Sequence, residues 1–164
     1  MTLEEIYYIG QTVAVVALVV SLVFVGVQIR QNTRATRAAS HNAVSDSLNE
    51  INRLFAENAD VTRIWIAGIN NRQALSEEER WRFDSTLRAY MHVCETMYIQ
   101  AGLGAGDKSI MLAEVEGIRL VMTSPGSREW WAENPYGFCD EFRAYVADLT
   151  KSAEEAPRPS NEAG

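Results

Sequence analysis

The sequence predicts an all-α protein, in which one N-terminal transmembrane helix continues into a long juxtamembrane helix and packs with a small cytoplasmic helical bundle. Three observations predict it. The 24 residues from Ile6 to Ile29 carry no charge. The rest of the chain repeats apolar residues at helical steps of three and four. No window alternates as a strand between hairpin turns.

The apolar stretch comes first. At 1.5 Å per residue it reaches about 36 Å, enough to cross a hydrocarbon core of roughly 30 Å with some tilt. Between Ile9 and Ile29 it holds 13 Ile, Leu, Val or Phe residues, whose transfer into lipid outweighs the cost of Gln11, Thr12, Ser21 and Gln28. Such a Val-rich stretch would favour a strand in water, but an isolated strand cannot satisfy its backbone in lipid, so helix is expected. Thr2 and Glu5 form a capping box at its start, and Tyr7 and Tyr8 fall at interface level. A cleavable signal peptide fits less well, because no Lys or Arg precedes the apolar run and Arg30, Arg34 and Arg37 follow it where a small-residue cleavage site would stand.

Those three arginines mark topology and meet lipid head groups, while the N-terminal flank is acidic. The positive-inside rule then puts the N-terminus outside and the folded region in the cytoplasm. Gly10, Ala14, Ala17, Ser21 and Gln28 share one helical face, where small side chains permit close backbone approach and Gln28 can hydrogen-bond across a helix pair; this is a candidate association face.

Beyond the span, residues 30–57 contain no Gly or Pro, so the helix should continue and stop near Asn58, burying Val44, Leu48, Ile51 and Phe55. Asp60 is expected to cap a short helix through Ile69 carrying Val61, Ile64, Trp65 and Ile66. The capping box Ser76 to Glu79 opens the longest soluble helix, with Phe83, Leu87, Tyr90, Cys94, Met97 and Ala101 inward. Gly102, Gly104 and Gly106 make a turn, and Asp107 or Ser109 caps a helix bearing Met111, Val115, Ile118 and Met122. Ser124-Pro125-Gly126-Ser127 breaks the chain before a short helix with Trp130 and Trp131. A last helix uses Phe138, Phe142, Tyr145 and Leu149. The resulting division is residues 1–5 outside the membrane, 6–29 across it, 30–150 as the cytoplasmic domain and 151–164 as a disordered tail.

From Gln31 onward the chain carries 14 Lys and Arg against 20 Asp and Glu. That balance argues against nucleic acid, whose phosphates require a clustered cationic surface. Cys94 and Cys139 lack any CxxC or Cys/His spacing and are expected as free thiols. His92 and Glu95 share a helical face, but in the reverse order of the Glu-x-x-His pairs of di-iron bundles and without a second copy, so no metal or cofactor is expected. Cys94 lies on the apolar stripe, away from His92, and reads as core. The glycine-rich turn at 102–106 lacks a phosphate-loop pattern. Trp65, Trp81, Tyr90, Tyr98, Trp130 and Trp131 are the aromatic set from which an interhelical pocket could form, with Arg128 and His92 as its polar groups.

Three segments together, Val27 to Arg37, Asn52 to Asn58 and Ser124 to Trp131, resemble a family of small uncharacterised bacterial single-pass inner-membrane proteins. The resemblance runs over most of residues 5–150 and implies a bacterial inner-membrane location and this helical layout; it implies no catalytic residue. The sequence therefore points to a membrane-anchored interaction or scaffold module, whose partners are the bilayer, a second copy of the chain or an unidentified protein. The alternative is a ligand-sensing or enzymatic bundle with an aromatic pocket. The sequence leaves catalysis open and leans against it, since no nucleophile–base pair is evident.

Overall fold

The computed structural model describes residues 2–104, 108–134 and 136–155, the side chains of 108–110 and 153–155 excepted. Among them every regular element is helical. The chain divides into two compact units, Met1–Ala39 and Ser40–Gly164. The first helix, α1 (Leu3–Glu57), is continuous through the boundary. Its start is fixed by the expected capping box: the Thr2 amide donates to Glu5 Oε2 at 2.8 Å and the Glu5 amide to Thr2 Oγ1 at 3.2 Å. In the first unit no described residue is buried.

In the second unit, Val44 on α1 is buried and Leu48, Ile51 and Phe55 are half-buried, the expected stripe. α1 ends at Glu57, and α2 (Ala59–Asn70) begins at once. Its cap is Asn58 rather than Asp60: Asn58 Oδ1 accepts from the amides of Asp60 and Val61 at 3.1 and 3.2 Å. Asp60 sits in the first turn, where its carboxylate meets both the helix dipole and Arg63. Ile64 is buried on α2, but Ile66 is exposed, because two residues further on is the far side of the helix.

The short 3₁₀ turn Arg72–Ala74 leads to α3 (Glu77–Gly102), opened by Ser76 and Glu79 in a complete capping box. Phe83, Leu87, Cys94, Met97 and Ala101 are buried on it as expected, and Tyr90 is half-buried. Met91, absent from the expected stripe, is buried too. α3 touches α2, α4 and α6, so its buried face is wider than a single 3-4 stripe. Gly104 then takes φ +66°, the left-handed turn that only glycine adopts at little cost. Gly106 and the candidate cap Asp107 lie outside the described residues, and Ser109 falls inside α4 (Lys108–Thr123).

α5 (Pro125–Glu133) starts with Pro125 at its first turn, so the Ser-Pro-Gly-Ser segment begins a helix as well as breaking one. α6 (Asp140–Glu155) runs past Thr150, and Phe138 stands before it. Its inward residues are Phe142 and Val146, with Tyr145 and Leu149 half-buried at the edge.

One core joins Val44, Ile64, Phe83, Leu87, Met91, Met97, Ile118, Met122, Trp130 and Phe142. Fully burying each large side chain contributes about 1.5–3 kcal/mol relative to leaving it exposed.

Candidate functional site

The residues predicted for topology and association all lie on α1. Arg30, Arg34 and Arg37 are exposed and fall on one helical face by their spacing. Gly10, Ala14, Ala17, Ser21 and Gln28 are exposed as well. A Cβ placed on Gly10 would meet nothing within 4 Å. The hydroxyls in this stretch are satisfied by the helix itself: Ser21 Oγ donates to the Ala17 carbonyl at 2.8 Å, and Thr12 Oγ1 to that of Tyr8 at 2.9 Å. These two hydroxyls are thus paired within the helix, which suits a hydrocarbon surround. By length and composition, α1 is the one described helix able to cross a membrane, with a mean hydropathy of 2.6 over its most apolar stretch.

The four candidate pocket residues divide differently. Trp130 is 0% exposed. Its ring lies 6.1 Å from Trp131 and 6.3 Å from Phe138, and Phe138 in turn lies 4.9 Å from Trp131 and 4.7 Å from His92. His92, Trp130 and Trp131 are thus brought together through Phe138, ring against ring. Arg128 is exposed, whereas Trp130, two residues on, faces inward. The cation over the Trp130 ring is Arg88, at 5.4 Å, which also donates to Asn134 Oδ1 at 3.1 Å. Of the remaining aromatics, Trp81, near the start of α3, is 71% exposed; Trp65 packs between Phe55 and Phe83 at 5.2 and 5.7 Å. Tyr98 packs against Tyr145 with the rings tilted and their centroids 4.9 Å apart.

His92 and Glu95 do meet, Nδ1 to Oε2 at 3.4 Å, but the other Glu95 oxygen accepts the Cys139 amide at 2.6 Å. This carboxylate therefore ties α3 to the start of α6. Among the described residues no three His, Cys, Asp or Glu side chains gather as metal ligands. Both cysteines are free. Burial pushes the Cys94 thiol up to about 12. Desolvation likewise raises Tyr90 well above the ordinary phenol range.

The most connected polar residue is one that no sequence pattern singled out. Arg72, 5% exposed, donates through Nε and Nη2 to both Asp84 oxygens at 2.8 Å. Its Nη1 reaches Glu129 at 2.8 Å and Glu133 at 2.7 Å. The fork pairs an in-plane carboxylate on α3 and spans to two carboxylates on α5, a geometry available to Arg and not to Lys. The Asp84 bonds, the largest influence, together with those to Glu133 and Glu129, raise the Arg72 pKa further above its ordinary value despite burial. Beside it Gly126 closes on the Gly68 carbonyl, so the segment Ser124 to Trp131 serves as a docking element for α5. The partners lie 12, 57 and 61 residues from Arg72, beyond the reach of any local spacing rule.

The folded unit also carries open grooves. One of about 430 Å³ lies between α1 and α3, bordered by Ile51, Arg53, Leu54 and Val93. Another of about 470 Å³ lies between α4 and α6, bordered by Met111, Leu112, Val115 and Leu149. The Arg72 and Glu95 contacts tie neighbouring helices to one another. No family model, curated protein or solved structure matches this chain.

Proposed function

We propose that this chain is a membrane-anchored interaction module. Residues 6–29 of α1 cross a bacterial inner membrane with the N-terminus outside, and the folded unit stands on the cytoplasmic side, where it self-associates or holds a protein partner. The observation that carries this reading is the exposure of every large apolar residue from Ile6 to Ile29 on a helix of sufficient length. In water such a surface is strongly unfavourable, and in lipid it is the expected state. The arginines after the span support the orientation. The small face at Gly10, Ala14, Ala17 and Ser21 supports self-association.

Alkaline extraction of native membranes tests the anchor. The chain is expected to stay with the pellet and to keep its N-terminal residues by mass spectrometry. Recovery in the soluble fraction, or a mature chain cleaved near residue 30, would sink the reading. The pocket alternative has less support, since the aromatic cluster at Trp130 is filled by its own rings.

A further inference from the structure

Arg30, Arg34 and Arg37 are exposed on α1, all within the first unit. Helical rotation puts Arg34 about 40° ahead of Arg30 and Arg37 about 20° behind it, so the three share an arc of about 60°. Along the axis they stand about 6 and 10.5 Å beyond Arg30. Between Glu5 and Asp46 the sequence contains these three cations, one histidine and no acid. The face is therefore cationic on a chain whose net charge is −7. Thr33, which lies between the arginines, is already committed, because its hydroxyl donates to the Ile29 carbonyl at 2.9 Å. The guanidinium groups are the strong donors here. Each offers a planar fork that fits two oxygens of one phosphate, where an ammonium meets phosphate as a point charge.

Depth selects the ligand. With residues 6–29 across the bilayer, the hydrocarbon of about 30 Å gives way on each side to a head-group layer roughly 5–7 Å deep. Arg30 follows Ile29 directly and stands in that layer; Arg34 and Arg37 lie one and two turns further out. The Cα–Cβ bonds of an α-helix tilt toward its N-terminus, and in α1 the N-terminus is the membrane end. The side chains of Arg34 and Arg37 are thus carried back toward the phosphates, and their long stems can extend in that direction. The same tilt would carry them away from the bilayer had the span lain C-terminal to them.

We propose that Arg30, Arg34 and Arg37 form a binding face for the phosphate of an anionic glycerophospholipid, one whose head group carries no cation of its own. In a zwitterionic head group the ammonium beside the phosphate opposes arginine; in an anionic one the guanidinium groups meet uncompensated charge. The inference rests on the membrane-anchored reading and deepens it, by naming the lipid held at the cytoplasmic end of the span.

The test is native mass spectrometry of the full chain, released from nonionic micelles doped with equal amounts of phosphatidylglycerol and phosphatidylcholine of matched acyl chains. One basic residue at an anionic surface is worth about fivefold in affinity, so phosphatidylglycerol adducts are expected to exceed phosphatidylcholine adducts at least about tenfold. Arg34→Gln should lower that preference about threefold to fivefold, and glutamine at all three positions should abolish it. Arg53→Gln, an exposed site on the same helix outside this stretch, should leave it unchanged. Arg30→Lys, Arg34→Lys and Arg37→Lys together keep the charge and the topology signal but lose the fork, and should reduce the preference at least about twofold. Millimolar glycerol phosphate, which has the head-group chemistry without acyl chains, should leave the adducts in place. The proposal is overturned by equal adducts of the two lipids, by a triple glutamine variant that keeps the preference, by a triple lysine variant that matches the wild type, or by displacement with glycerol phosphate, which would assign the face to a soluble phosphate. A chain that stays in the alkaline pellet yet takes both lipids equally loses this face and keeps its anchor. A chain that extracts as soluble loses the anchor, and with it the depth on which this face depends.

Discussion

Gly126 lies against Gly68 with no room for a side chain between them: a Cβ on Gly126 would stand 1.8 Å from the Gly68 carbonyl oxygen. The contact lets α5 approach α2 closely enough for Glu129 and Glu133 to reach Arg72. Gly126→Ala should therefore push the two backbones apart and cost about 2–4 kcal/mol in urea unfolding. Gly68→Ala should cost less, because the atoms it meets, at 2.3 Å, belong to the Phe83 ring, which can tilt where a backbone cannot. Equal stability of wild type and Gly126→Ala would show that α5 is not held at this crossing.

Arg72 offers a second measurement. Arg72→Ala leaves Asp84, Glu129 and Glu133 facing one another without a cation, and a loss of about 2–4 kcal/mol is expected. Arg72→Lys keeps the charge and loses the two-point bond to Asp84, so a loss of about 1–2 kcal/mol is expected. If the two variants unfold at the same denaturant concentration, charge alone matters here and the fork geometry does not.

The α3 cap makes stability depend on acid. Glu79 is held down at about 2, first by Arg63, at 2.7 Å, and then by the Ser76 amide and hydroxyl. A carboxyl whose pKa is lower in the folded state stabilises the fold above its ordinary value of 4.5, and that contribution is lost as pH falls toward about 2. Glu79→Gln should flatten the pH dependence of unfolding between those limits. A variant whose acid profile overlays the wild type would remove Glu79 from the account.

Thiol chemistry reports on the α3 core. Cys94 is buried with its thiol pushed up to about 12, so at pH 8 it should resist alkylation in the folded chain and react once the chain is unfolded. Labelling of native Cys94 at the unfolded rate would mean that this part of the core opens freely.

Much of this was legible in the sequence. The capping boxes at Thr2/Glu5 and Ser76/Glu79 are local, and both formed. The stripe at Val44, Leu48, Ile51 and Phe55 follows from helical period alone. The misreadings fall where neighbours compete or distance intervenes. Asn58 and Asp60 are both good caps, and the end of α1 at Glu57 settled which residue took the extended backbone. Met91 lies outside the expected stripe and is buried on the wider inner face of α3. Trp81, grouped with the aromatics from which a pocket could form, stands in solvent.

By itself, the sequence determined which segments are helical, where α1 and α3 begin, and that one segment is long and apolar enough to cross a bilayer. These follow from propensity, capping and periodicity, which act within a few residues. Only the tertiary structure decided that Gly126 touches Gly68, that Arg72 gathers three carboxylates from two helices, and that His92 reaches the tryptophans through Phe138. Those relationships join residues tens of positions apart. They depend on how closely two helices approach, and helical period says nothing of that distance.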